Sequence, residues 1–158
     1  MWCGRSSQAM LVNYWKPGTG ADKRAFQANV AHKLRGVTSV RELTGKPYEG
    51  LKSHDLTAVA RSVEAGNPAI AYTKIYQRAD DVANHPGHIV VLTGYDPNVH
   101  PEEGGQFYAN DPYAKNAEAG TDITRVGGKL LTKDNLQKLL YAQGTGNTAI
   151  YLPVPQTP

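Results

Sequence analysis

The chain predicts an α+β fold in which N-terminal helices pack on a C-terminal antiparallel sheet. Two observations carry this. Up to Gly66 the apolar residues recur every three or four positions, as in Met10, Leu11, Tyr14 and Trp15, then Phe26, Val30 and Leu34, then Leu56, Val59, Ala60 and Val63. From Pro68 onward the period falls to two, and the runs become β-branched and aromatic with turn residues between them. Helices first and strands second is not the alternation of βαβ units.

The first helix covers Trp2 to Trp15 and is stopped by Lys16-Pro17-Gly18-Thr19-Gly20. A second is expected over Asp22 to Leu34. The segment Gly36 to Leu51 mixes Val37, Val40 and Leu43 with turn residues and reads as loop with a short helical turn. Ser53 is the expected cap of a third helix, with Gly66 just past its end. A strand follows from Pro68 through Ile70 and Tyr72. Asp80 to Gly87 is polar and closes on the Pro86-Gly87 turn. His88 to Tyr95 reads as a strand buried on both faces for most of its length. A loop from Asp96 to Gly105 leads into a strand over Gln106 to Asn110, ended by Asp111-Pro112 because proline removes a ladder donor. A short strand is expected near Ile123 to Val126, a helix capped by Thr132 with Leu136, Leu139 and Leu140, and a closing strand over Thr148 to Leu152.

At 158 residues the chain is one domain, 1–158, with 153–158 a proline-rich tail, and it is long enough to bury a core without staples. No apolar run approaches the roughly 20 residues that span a bilayer. The net charge of +3 comes from interspersed basic and acidic residues, so no nucleic-acid partner is expected. A single cysteine rules out an internal disulfide. No signal peptide precedes Trp2, and the abrupt start suggests a larger parent protein upstream of Met1.

That one cysteine, Cys3, lies just ahead of the apolar-periodic segment, near the N-terminus of the first predicted helix, where free backbone N–H groups and the positive end of the helix dipole favour a thiolate. A nucleophilic cysteine needs a base and a group that orients it. His88, which opens a buried strand after a rigid turn, and Asp111, at the end of the next strand, are the candidates. Side chains alternate along a strand, so only one of Asn110 and Asp111 can share a face with His88. Trp2, Gly4, Gly87 and Tyr113 flank these positions and are the candidates to line a substrate cleft. Each feature has a plainer reading: lone cysteines are usually buried packing residues, and an Asp before Pro is a common turn former. His85 and His88 are three apart, but with no second cluster neither a metal site nor a cofactor is expected. His32, His54 and His100 read as surface residues.

Four stretches, taken in order, carry a resemblance. Cys3-Gly4, Ser6, Ala9-Met10 and Asn13-Tyr14 resemble the nucleophile helix of papain-like cysteine peptidases of the bacteriocin-leader-processing type. Gly66-Asn67-Pro68-Ala69-Ile70 resembles that family's Gly-x-Pro strand entry, Gly87 to Asp96 its histidine strand, and Ala109-Asn110-Asp111-Pro112-Tyr113 its aspartate turn. The resemblance implies a papain-like fold with Cys3 as nucleophile, His88 as general acid/base and Asp111 as the orienting residue. It implies a cysteine hydrolase that cleaves an amide bond in a peptide or protein through a Cys3 thioester. Two other functions fit the same residues: a peptidoglycan amidase or delivered toxin domain, and an inactive module that binds peptide in the cleft. In the family a glutamine upstream of the cysteine donates to the oxyanion hole, and only Met1 and Trp2 precede Cys3 here. Loss of one such donor costs about 10² to 10³ in rate, so a weak enzyme is expected. A secreted or delivered bacterial protein is favoured over a cytoplasmic one, with an inhibitor protein as a further conceivable partner.

Overall fold

The computed structural model describes residues 2–16, 37–51, 54–74, 88–110, 123–126, 129–140 and 148–154, the side chains of 2–6 and 37–39 excepted. The helix expected over Asp22 to Leu34 and the turn expected over Asp80 to Gly87 lie outside these residues.

Helix α1 spans Trp2–Trp15. Its buried residues are Ser7, Gln8, Ala9, Leu11 and Val12, whereas Tyr14 is 49% exposed, so the buried stripe is rotated about one position later than Met10, Leu11, Tyr14 and Trp15 suggested. Helix α2, Val37–Thr44, replaces the expected loop. It ends on Gly45, whose φ of +73° lets its N–H reach back to the Arg41 carbonyl at 2.7 Å. Strand β1, Tyr48–Gly50, follows and was likewise unexpected. Helix α3, Leu56–Glu64, buries Leu56, Val59, Ala60 and Val63 as predicted. Its cap, however, is Asp55, whose carboxylate accepts from Thr57 N at 2.9 Å. Replacing it by Ala should cost about 1 kcal/mol.

Strands β2 (Ala69–Thr73), β3 (His88–Asp96) and β4 (Gln106–Asn110) match the sequence reading closely. A 3₁₀ turn over Pro101–Glu103 lies in the β3–β4 loop. The short strand near residue 125 is half of a hairpin, β5 (Arg125–Val126) with β6 (Lys129–Leu130). Thr132 caps α4, Lys133–Leu139, accepting from Asn135 N at 3.3 Å. Strand β7, Ile150–Pro153, takes in the first proline of the expected tail, with Pro153 opposite Tyr48.

The main sheet is antiparallel throughout, in the order β1-β7-β2-β3-β4. Among the described residues it is a layer with two helices on each face. On one face Leu11 and Val12 of α1 and Val40 of α2 cluster with Tyr48, Ile70 and Val91. On the other, α3 and α4 pack on Ala69, Ala71, Val90, Leu92, Phe107 and Ile150. The sheet is therefore not purely C-terminal, since β1 joins it from before α3.

Tyr48 locks the first layer to the sheet. Its hydroxyl donates to the Pro68 carbonyl and accepts from Trp15 Nε1, both at 2.9 Å, while Lys46 Nζ lies 4.3 Å from the centre of the Trp15 ring. Burial pushes the Tyr48 hydroxyl well above the ordinary tyrosine value of 10.0, a rise the Trp15 hydrogen bond partly offsets. The folded state thus keeps its proton where the unfolded chain loses it, so stability from this group is complete below about pH 10 and declines as pH rises past it. Chemical denaturation of Tyr48→Phe should show a loss of about 1–3 kcal/mol at pH 7 and a shallower decline above pH 10 than the wild type.

Candidate active site

Cys3 is the second residue of α1. In the first turn of a helix the backbone N–H groups have no intrahelical acceptor, and no acidic residue in that turn competes for the positive end of the dipole.

Contacts along α1 show how it lies on the sheet. Ser7 Oγ donates to the Ile89 carbonyl at 2.9 Å. Leu11, one turn on, clusters with Ile70 and Val91. Trp15, a further turn on, reaches Pro68 through Tyr48, and Pro68 adjoins Ala69, the partner of Leu92. From Ser7 to Trp15 is about 12 Å of helix at ~1.5 Å per residue. From Ile89 to Leu92 is about 10 Å of strand at ~3.4 Å per residue. Helix and strand therefore run side by side in the same direction, and the start of α1 lies at the His88 end of β3.

His88 is the first residue of β3, opposite Thr73, and is 2% exposed. Thr73 Oγ1 donates to its carbonyl at 2.8 Å, and its Nδ1 is sealed from solvent. By alternation His88 shares a face with Val90 and Leu92, while Ile89 and Val91 face α1. Helix α1 and the face that His88 shares therefore lie on opposite sides of β3, and the way from one to the other is around the margin of that strand. Among the described residues that margin is open: β4 pairs with β3 from Val91↔Asn110 onward and not before.

The same register decides the place of Asn110. It pairs with Val91, so it lies on the sheet face opposite to His88, and it is exposed. Asp111, Gly87 and Tyr113 lie outside the described residues, and Trp2 and Gly4 are placed only as residues of α1. His85 and His32 also lie outside them. His100 is exposed as expected and sits with Glu102 and Glu103 on the 3₁₀ turn at the far end of β3, with Nδ1 3.6 Å from Glu102 Oε1. His54 is half-buried and has a φ of +49°.

Ser7 was not singled out from the sequence. Its signal was there: a small polar residue four positions after Cys3, on the same helix face. A cavity of about 460 Å³ between α3, β1 and β7, lined by Leu51, Ala58, Ser62 and Leu152, opens near Asn67. That is the end of β2 remote from Thr73 and His88, so it is not part of this site.

No curated protein matches the chain. A crystal structure from Bacillus anthracis assigned to a C39-like peptidase superposes with a TM-score of 0.58 at 14% identity, covering 99% of this chain and 90% of that one. At that identity the likeness concerns the fold, which is thus α+β and papain-like. The family model for the Peptidase C39 like family matches residues 1–133. Neither comparison carries the toxin or effector reading. Matched over most of its length, the chain belongs to the Peptidase C39-like family of papain-like cysteine peptidases.

Proposed function

We propose that this chain is a peptidase that hydrolyses an amide bond through a thioester on Cys3, with His88 as general acid/base and Asp111 as the orienting carboxylate. The observation that carries this reading is the parallel course of α1 and β3, anchored by the Ser7–Ile89 hydrogen bond, because it brings the helix start and the strand start to one margin of the sheet. The His88 imidazole takes the Cys3 proton, the thiolate attacks the carbonyl carbon, and the imidazolium returns the proton to the leaving amine. Water, deprotonated by the same imidazole, then releases the acyl group and regenerates the thiol. The Cys3 backbone N–H in the helix first turn is a donor for the oxyanion.

Alkylation tests the nucleophile. Iodoacetamide should label Cys3 faster than a free thiol below pH 7, and His88→Ala should abolish that advantage. Labelling at the free-thiol rate in the wild type would remove the catalytic assignment.

Asp111 is preferred to Asn110 because Asn110 is paired with Val91 and turned to the other face. If the strand persists one residue past Asn110, alternation would put position 111 on the face of His88. A carboxylate there fixes the imidazole tautomer and stabilises the imidazolium. The rate should then follow a bell with a plateau near neutral pH. Asp111→Asn should lower the rate and narrow the plateau from its alkaline side, whereas Asn110→Ala should change it little. Loss of turnover in Asn110→Ala with an intact profile in Asp111→Ala would reassign the third residue.

A further inference from the structure

Resting on the reading of Cys3 and His88 as nucleophile and base, we propose that Ser7 is the positioning residue for that pair, its hydroxyl fixing the first turns of α1 against the open start of β3.

The ladder bonds show why a hydroxyl is needed there. Tyr72 N donates to Ala149 O on the β7 side, so the polar groups of Ala71 and Thr73 point toward β3. Their partners Val90 and His88 answer them, and the residue between, Ile89, turns its carbonyl to the β4 side. No described residue of β4 pairs with Ile89. Two residues past Asn110 the sequence has Pro112, which carries no N–H to donate. A carbonyl in the interior must nonetheless be satisfied. Ser7, 0% exposed, supplies the donor at 2.9 Å.

The neighbouring carbonyl, that of His88, is held on the other flank by Thr73 Oγ1 at 2.8 Å. The peptide groups that begin β3 are thus gripped from both sides. One grip comes from the helix that carries Cys3, a single turn before Ser7. Without it, α1 is still anchored through Leu11, Val12 and the Trp15–Tyr48 bond, all farther along. Its first turns then lose the Ser7 hydroxyl's tie to the strand of the base. The charged and titratable groups on elements packed against α1 are His88 and, at the far end of the strand, Asp96 on β3, and the exposed Arg41 and Glu42 on α2, with Arg5 on α1 itself. Of these, His88 is the one whose carbonyl neighbour Ser7 holds.

Because Cys3 is the only cysteine, the pH dependence of iodoacetamide alkylation of the whole chain reports its thiolate directly. The wild type should reach half-maximal rate on the acid side of the free-thiol value of about 8.5. Ser7→Ala should move that midpoint toward the free-thiol value, each unit of movement lowering the rate at pH 6 about tenfold. Val59→Ala, which loosens the opposite layer, should keep the wild-type midpoint, separating positioning from general loss of stability. Ser7→Thr retains the donor and should retain the acid midpoint, so it carries the test if Ser7→Ala does not fold. A folded Ser7→Ala with the wild-type midpoint, or a folded Ser7→Thr with a free-thiol midpoint, overturns the role of Ser7 alone. A free-thiol midpoint in the wild type overturns the catalytic reading beneath it.

Discussion

The five-residue ladder between β2 and β3, from Ala69↔Leu92 to Thr73↔His88, is the constraint on which the rest depends. Both strands are covered on both faces, so nearly every side chain in them is committed to one layer or the other: Ile70 and Val91 to α1, Ala69, Ala71, Val90 and Leu92 to α3 and α4. A one-residue slip would exchange the two sets and set bulky residues where alanines now allow close approach of the helix layer. The alanines of β2 and the valines of β3 therefore define the register as well as fill the core. Since His88 is the terminal residue of this ladder, its position is inherited from the packing of all the others.

Polar contacts set the helices in place on that frame. Hydrophobic burial holds α1 to the sheet but leaves sliding along the strand weakly opposed, because apolar contact is not directional. Directional hydrogen bonds two turns apart remove that freedom: Ser7 to Ile89 in the first half of the helix, and Trp15 through Tyr48 to Pro68 at its last residue. Tyr14 adds a bond of 2.5 Å to the Gly66 carbonyl. Each of these links ends on a backbone carbonyl beside β2 or within β3, the Trp15 one by way of the Tyr48 hydroxyl. A helix tied in this way carries a residue of its first turn to a set place relative to the strand it follows.

Beyond the central ladder the sheet changes character. Between Leu92 and Gly94 the β3–β4 register shifts, and from Thr93 onward β3 is no longer fully buried. Gly105, at φ +97°, lies so near the Tyr95 ring that a Cβ would fall 2.5 Å from its hydroxyl oxygen. Tyr95 in turn packs on Phe107, the two rings tilted by 45°, and donates to the Gly104 carbonyl at 2.5 Å. The β3–β4 connection is thereby closed by an aromatic side chain laid against glycine backbone, and β4 is held in the register that turns Asn110 away from His88.

Local periodicity was enough to read α3, β2, β3, β4 and α4 from the amino-acid sequence, since each pairs a clean apolar pattern with a cap or turn signal at its boundary. The same patterns, joined to Cys3, His88 and Asp111 in order, pointed to the family. Periodicity was not enough for α2 and β1, whose few residues carry too little pattern to outweigh the turn formers around them. Nor did it reveal that β7, the last strand in the chain, inserts between β1 and β2, because strand order is set by which buried faces fit together across long sequence separations. Ser7 shows the limit most clearly. As a letter in a helix it is an ordinary small polar residue, and its importance arises only where the ladder leaves the Ile89 carbonyl without a strand partner among the described residues, a condition that exists only in the folded sheet.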